Sequence, residues 1–165
     1  MIRVVEGDLA DLLVDAVVRP ADHLLAPAGA ASTRLDRRAG EQFTEQCQVQ
    51  TPLEVGAAVV TGAGNLSAKF VVHVVIQSPD RPPAPDTIRR ALLSAWHRAE
   101  VWALQRVATP LVGLDAESLD AAAATRLLAE TFLARPRTTG YPAELQIAVD
   151  AAQRAAVERA LPSAT

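Results

Sequence analysis

The stretch TGAGNL at residues 61–66, followed by FVVHVVI at residues 70–76, decides the fold of this chain. The first part predicts a turn, because Gly62 and Gly64 adopt backbone angles that residues with side chains resist. The second part is a short apolar run rich in β-branched residues, which predicts a buried strand. A tight turn that leads into a buried strand is therefore the fixed point from which the other elements are placed.

Strands and helices alternate on both sides of this point. Apolar segments predict strands at residues 2–5, 16–18, 57–60, 70–75, 107–110 and 145–149. Helical spacing and end signals predict helices at residues 30–39, 41–48, 86–102 and 118–134, and a last helix after residue 150. Alternation of this kind implies an α/β protein whose sheet is covered on both faces.

Helix and strand ends are predicted from single residues. Gly40 is a natural C-terminal cap for the first helix. Asp86 and Ser118 are the expected N-terminal caps of two later helices, and Asp150 with Gln153 forms the pattern of a capping box. We expect the second strand to end at residue 20, because this proline has no N–H to donate.

Length and composition predict one globular domain over residues 1–165. Hydrophobic residues make up 50% of the chain, which favours a globular protein over a disordered one. A net charge of -3 and only 4% aromatic residues argue against a nucleic-acid partner. The single cysteine, Cys47, excludes an internal disulfide and a paired-cysteine metal site. The three histidines lack metal-ligand spacing, so we expect no metal and no cofactor.

No targeting or membrane segment is predicted. Arg3, Glu6 and Asp8 place charges where a signal peptide would be apolar. No apolar run reaches the ~18 residues that a membrane span needs. We expect a cytoplasmic protein with no membrane partner, and the high content of Ala, Arg and Val resembles that of GC-rich bacteria. The sequence does not fix the oligomeric state.

Several short motifs occur in the order in which one family has them. They are VVEGDL at residues 4–9, VDAVV at 14–18, AG at 39–40, TGAGNL at 61–66, and Lys69 with VVH at 71–73. This chain resembles the macro domain family, whose members bind ADP-ribose. The resemblance implies a three-layer α/β/α sandwich with a mixed central sheet, and ADP-ribose or a related nucleotide as the ligand.

The family resemblance places the adenine at the end of the first strand. The family's Gly-Asp pair is Gly7-Asp8 here. The carboxylate of Asp8 would accept a hydrogen bond from the adenine amino group, and the N–H of Leu9 would assist. The alternative is that Asp8 only caps a short turn, as aspartate commonly does.

The second-strand loop departs from the family pattern. The family's N-A-A-N is RPAD at residues 19–22, and its glycine run is AGAA at residues 28–31. Ionised Asp22 can only accept hydrogen bonds, from ribose hydroxyls for example, and it is the one candidate for a catalytic base. The resemblance implies that Gly29, Ala30 and Ala31 lie against phosphate. The acidic position of some ADP-ribosyl hydrolases aligns with Ser32.

The fifth-strand loop departs further. The family's glycine-rich loop is GLDAES at residues 113–118, and only its first glycine remains. We predict ligand contacts in this loop at Gly113, Leu114, Asp115 and Ala116. Asp115 and Glu117 would place negative charge where backbone amides normally hold a diphosphate. The alternative is that both carboxylates face solvent and favour the N-terminus of the next helix.

Arginines near the second-strand loop offer compensating positive charge. They are Arg19, Arg34, Arg37 and Arg38, and guanidinium groups suit phosphate. The alternative is that they form a solvated helix face. The aromatic residue that often follows the family's last strand is absent, since Val149 and Asp150 stand there. His73 lies in an apolar strand and is predicted to be a core histidine.

Two classes of function follow from these departures. The first is a binding module that holds ADP-ribose or a related nucleotide weakly and without catalysis. The second is a hydrolase of ADP-ribosyl or acetyl-ADP-ribose esters that uses substituted residues. A scaffold that no longer binds nucleotide and serves as an interaction domain is a further alternative. We expect the cleft between residues 20–31 and 113–118, with Asp8 at its far end.

Overall fold

The central sheet of the computed structural model, which describes residues 1–114 and 118–163, has six strands. The strands are β1 (Ile2–Glu6), β2 (Ala16–Asp22), β3 (Ala58–Gly62), β4 (Phe70–Gln77), β5 (Arg106–Thr109) and β6 (Glu144–Val149). Their order across the sheet is β1-β6-β5-β2-β4-β3. Strand β3 is antiparallel to β4 and every other pair is parallel, which confirms the predicted mixed sheet.

Helices cover both faces of this sheet. They are α1 (Ala30–Ala39), α2 (Glu41–Gln46), α3 (Pro85–Val101), α4 (Ala121–Ala134) and α5 (Ala151–Ala160). Helices α1 and α2 bury Leu35 and Phe43 against one face. Helices α3, α4 and α5 pack on the other face, where Trp96 and Phe132 meet edge to face with ring centroids 5.6 Å apart. The predicted three-layer α/β/α sandwich is confirmed. Among the described helices, none combines the length and the apolarity that crossing a bilayer requires.

Strand β2 continues through Pro20, and the prediction that it ends there is wrong. Its pairing with β5 ends at Val17 and Ala108, whereas its pairing with β4 continues to Asp22. The carbonyl oxygen of Pro20 accepts a hydrogen bond from the N–H of Ala28 at 3.1 Å, on the side that β5 has left. A strand residue's N and O face the same side, so the missing N–H of Pro20 interrupts no ladder.

Two predicted helix caps are also wrong. Helix α3 begins after Ala84, whose N–H donates to the hydroxyl of Thr87, while Asp86 lies inside the first turn. Helix α4 begins after Asp120, whose carboxylate accepts from the N–H of Ala123 at 2.7 Å. At α4 the acceptor that reaches a free N–H of the first turn lies two residues from the one predicted. At α3 no side chain of the cap residue accepts from the first turn. The capping box at the start of α5 is confirmed.

The TGAGNL turn packs on the junction between α1 and α2. Gly64 has a φ of 55°, and a Cβ built on it would overlap the carbonyl oxygen of Ala39. The N–H of Asn65 donates to the same oxygen at 2.9 Å. At Gly40, φ is 92° and a Cβ would lie 2.8 Å from the Asn65 amide nitrogen. The TGAGNL motif therefore allows the turn before β4 to pack closely against the junction of α1 and α2.

Candidate functional site

A cleft of about 680 Å³ opens at the carboxyl ends of β1, β5 and β6. In open α/β sheets this edge is where ligands bind, and the volume is in the range of small-molecule sites. Its wall combines the first-strand turn, the start of α1, the segment after β5 and the start of α5. The lining residues are Glu6, Gly7, Asp8, Leu9, Ala31, Arg34, Pro110, Leu111, Leu114, Ala148, Val149, Asp150, Ala151 and Gln153.

Asp8 and Leu9 lie in the wall of this cleft. One carboxylate oxygen of Asp8 accepts from the N–H of Ala10 at 2.9 Å and caps a single turn of 3₁₀-helix, Leu9–Asp11. The other oxygen lies 3.5 Å from the Nη1 of Arg38. Both interpretations of Asp8 therefore describe parts of its environment. It caps a turn, and its half-exposed side chain borders the cleft.

The residues at the family's glycine run lie at the start of α1, and they differ in whether they line the cleft. Gly29 precedes the helix with a φ of 108°, a left-handed angle that favours glycine. Ala31 lines the cleft, and one turn further along the same helix Arg34 does too. Gly29 and Ala30 do not line this cleft within the described part of the chain. Their predicted phosphate contacts stay predictions.

Asp22 holds the loop that follows β2. Its Oδ1 accepts hydrogen bonds from the N–H groups of Leu24 at 2.8 Å and Ala26 at 2.9 Å. It is not one of the residues around the cleft, as far as residues 1–114 and 118–163 describe it. Ser32 is buried, and its hydroxyl donates to the carbonyl oxygen of Pro20 at 2.7 Å. Both side chains thus serve the local structure of the second-strand loop.

Arg19 forms a buried ion pair, so the predicted compensating role toward phosphate is wrong for this residue. Its side chain is 1% exposed, and its Nε and Nη2 donate to the two carboxylate oxygens of Asp36, each at 2.7 Å. Its guanidinium carbon lies 5.6 Å from the ring centroid of Phe43. The side chain points toward α1 and α2, because a strand residue faces one side of the sheet only.

His73 continues this network in the core. Its Nδ1 lies 3.1 Å from the Nη1 of Arg19, and its Nε2 lies 2.8 Å from the hydroxyl of Thr61. A guanidinium only donates, so Nδ1 accepts and the Nε2–H donates to Thr61. Burial, reinforced by the charge of Arg19, lowers the pKa of His73 to about 3. The prediction of a satisfied core histidine is confirmed.

This depressed pKa predicts a loss of stability in mild acid. Between pH 6.5 and about 3 the unfolded chain binds a proton at His73 that the folded protein excludes. The free energy of unfolding should therefore fall as the pH is lowered, by up to about 1.4 kcal/mol per pH unit from this residue. Urea unfolding at pH 7, 6 and 5 measures it. His73→Gln, which does not titrate, should show a shallower slope, and equal slopes would contradict the assignment.

The glycine that remains in the fifth-strand loop is held by packing. Gly113 has a φ of 96°, and a Cβ on it would lie 2.9 Å from the Cδ1 of Ile88 and 3.0 Å from that of Leu119. Its conformation therefore has a structural cause independent of any ligand. Leu114 follows it and lines the cleft. The other predicted contacts of this loop, Asp115 and Ala116, lie outside the described residues, as does Glu117.

A sandwich of this kind, with helices on both faces of a mostly parallel sheet and a cleft at the carboxyl ends of its strands, defines a three-layer α/β protein. The model of the Macro domain family matches residues 18–128. That match covers more than half of the 165 residues, and the chain belongs to the macro domain family.

Two relatives show how far the similarity extends in sequence. An uncharacterized protein of Aquifex aeolicus is 28% identical over 130 residues, which cover 78% of this chain and 79% of that protein. The O-acetyl-ADP-ribose deacetylase of Salmonella typhimurium is 38% identical over 78 residues, or 45% of this chain and 44% of the enzyme. The aligned part thus spans less than half of that enzyme.

Solved structures support the fold. The Trypanosoma brucei macrodomain in complex with ADP-ribose superposes with a TM-score of 0.82 at 21% identity, covering 96% of this chain and 68% of that one. The Oceanobacillus iheyensis macrodomain with ADP gives a TM-score of 0.80 at 16% identity, covering 95% of this chain and 87% of that one. At these identities the likeness concerns the path of the backbone alone.

Proposed function

We propose that this macro domain binds ADP-ribose or a related nucleotide in the cleft, weakly and without hydrolysing it. The observation that carries the proposal is the position of Asp8 and Leu9 in the wall of a cleft of about 680 Å³. An acceptor and a neighbouring backbone N–H at the end of β1 match what adenine recognition needs. Structural neighbours that hold ADP and ADP-ribose support the choice of ligand.

Weak binding follows from the loops that would surround the diphosphate. A nest of successive backbone N–H groups is a strong anion site because its dipoles are fixed. Of the family's glycines in these two loops, the chain has Gly29 and Gly113. Gly113 packs closely against Ile88 and Leu119, which leave no room for a side chain there. The remaining positions carry side chains, two of them acidic in sequence, Asp115 and Glu117. Less of the backbone is therefore available to approach phosphate.

Three side chains of the second-strand segment support the absence of catalysis. A general base must lie within hydrogen-bonding reach of the reacting water. Asp22 is engaged by two backbone N–H groups, the hydroxyl of Ser32 is bonded to Pro20, and Arg19 is buried with Asp36. None of these groups is placed to activate a water in the cleft.

The test of binding is calorimetric titration with ADP-ribose. We expect a dissociation constant above 1 μM, about −8 kcal/mol or weaker. Asp8→Asn keeps an acceptor for the N–H of Ala10 but loses the charge toward the ligand, and should weaken binding about tenfold. Asp11→Asn removes a carboxylate that also contacts Arg38 but does not line the cleft, and should leave the affinity unchanged. Sub-micromolar affinity would contradict the idea of a weakened site.

A hydrolase is the second candidate, because one relative is named O-acetyl-ADP-ribose deacetylase. The same titration samples, incubated with O-acetyl-ADP-ribose and with ADP-ribosylated protein, should show no turnover above background. Turnover that disappears in Asp22→Ala would make Asp22 the base and overturn the proposal. Absence of any nucleotide binding would favour the interaction-domain alternative instead.

A further inference from the structure

The acidic side chains that line the described part of the cleft, those of Glu6, Asp8 and Asp150, already have partners. The carboxylate of Glu6 lies 3.4 Å from the Nη1 of Arg154. Asp8 is engaged by the N–H of Ala10 and faces Arg38, as described above. Asp150 accepts from the N–H of Gln153 at 2.8 Å and caps α5. These interactions reduce the negative charge that an incoming ligand meets.

The one basic residue among those that line the cleft is in a different situation. Arg34 lies one turn into α1, is exposed, and borders the cleft. It forms no hydrogen bond or ion pair that would occupy its guanidinium, within residues 1–114 and 118–163. Arg38, one turn further along the helix, is held by Asp11 and Asp8. Among the described lining residues, the acidic side chains are therefore engaged and the guanidinium of Arg34 is available.

We propose that Arg34 binds a phosphate group of the ligand, so that this cleft selects ligands by their phosphate charge. The inference rests on the proposed function and adds to it the group that replaces a lost backbone nest. A guanidinium offers a planar fork of N–H donors that matches two phosphate oxygens.

A specific order of ligands follows from this role. Nucleoside diphosphates should bind more tightly than monophosphates, and an uncharged nucleoside should bind least. Because part of the attraction is between charges at an exposed site, affinity for the diphosphate should also fall as the salt concentration rises. An adenine-directed site that lacked this arginine would show a much smaller difference between adenosine and ADP.

The experiment compares Arg34→Gln with Arg37→Gln by calorimetric titration with ADP, AMP, adenosine, inorganic phosphate and ADP-ribose. Arg37 is an exposed arginine on the same helix that does not line the cleft, so its replacement makes the same change of charge elsewhere. We expect Arg34→Gln to weaken the binding of ADP and of ADP-ribose about tenfold and to leave the affinity for adenosine unchanged. Inorganic phosphate should compete with ADP in the wild type and lose this ability in Arg34→Gln. Arg37→Gln should behave as wild type.

The outcomes separate the two proposals. If ADP-ribose binds equally well to wild type and Arg34→Gln, the role of Arg34 is wrong and the proposed function stands. If ADP-ribose does not bind but ADP and phosphate bind with dependence on Arg34, the role stands and ADP-ribose is the wrong ligand. Equal losses in Arg34→Gln and Arg37→Gln would show a general effect of helix charge and overturn the inference. Failure of every ligand to bind the wild type would overturn both.

Discussion

Replacing Gly64 by alanine should lower the free energy of unfolding by about 4 kcal/mol, a large fraction of the roughly 5–15 kcal/mol by which domains are stable. The added Cβ would overlap the carbonyl oxygen of Ala39, which already accepts the N–H of Asn65. Backbone atoms cannot rotate away as a side chain can. The whole TGAGNL turn would have to move off the junction of α1 and α2, and the hydrogen bond of Asn65 would be lost.

A matched variant isolates this overlap from the strain of the backbone angle. Gly140 also has a positive φ, 81°, but a Cβ on it would meet nothing within 4 Å. Gly140→Ala should therefore cost only the left-handed conformation, about 1 to 2 kcal/mol. Guanidinium unfolding of both variants measures the difference. If the two alanine variants were equally unstable, the close approach at Ala39 would not be the reason for the glycine.

Removing the partner of the buried arginine should have the second largest effect. In Asp36→Ala, the guanidinium of Arg19 stays buried without a counter-charge. Breaking a buried ion pair from one side costs about 3–5 kcal/mol. We expect about 3 kcal/mol, the lower end of that range, because the side chain of Asp36 keeps 20% of its surface exposed and water can reach it. Denaturant unfolding at pH 7 measures this loss.

Two controls define the origin of the loss. In Arg19→Met with Asp36→Ala no charge is left buried, so the double variant should be more stable than Asp36→Ala alone. Asp11→Ala breaks a solvent-exposed pair with Arg38 and should change the stability far less than Asp36→Ala does. A double variant less stable than the single one would show that Arg19 stabilises the core by packing and by its contact with His73, and not through its pairing with Asp36.

The sequence predicts most elements because their signals are local. Helix α1 spans Ala30–Ala39 as predicted, since Gly40 ends it with a left-handed angle of 92°. The errors arise where the decisive partner is remote or a near neighbour competes. Pro20 is tolerated in β2 because the pairing of β2 with β5 ends before it, at Val17 and Ala108. Strand β5 lies far along the chain, so the local sequence around Pro20 does not show where this pairing ends. Asp120 caps α4 where Ser118 was expected, because the two offer similar acceptors two residues apart.

The position of the cleft is predictable where it depends on strand ends. Asp8, Leu9, Ala31 and Leu114, which the sequence predicts at the ligand, line one cleft, and their contacts with a ligand stay predictions. Arg19 and Arg34 could not be told apart from sequence, although one is buried and the other borders the cleft. Which side of β2 an arginine faces depends on the sheet's packing, and its partner Asp36 comes 17 positions later. No short-range pattern encodes such a pairing.

The ion pair of Arg19 and Asp36 also restricts how this chain could accommodate an amide at residue 19, the position that aligns with the first asparagine of the N-A-A-N pattern. Arg19→Asn alone would leave a cavity beside Phe43, remove the donor to His73 and leave Asp36 without its partner. Asp36 alone cannot be changed first, for the reason given above. We expect each of these single changes to destabilise the fold, so an amide at residue 19 would require simultaneous changes at both positions. The buried ion pair therefore couples the sequence of the second-strand loop, which differs from the family pattern, to the stability of the core.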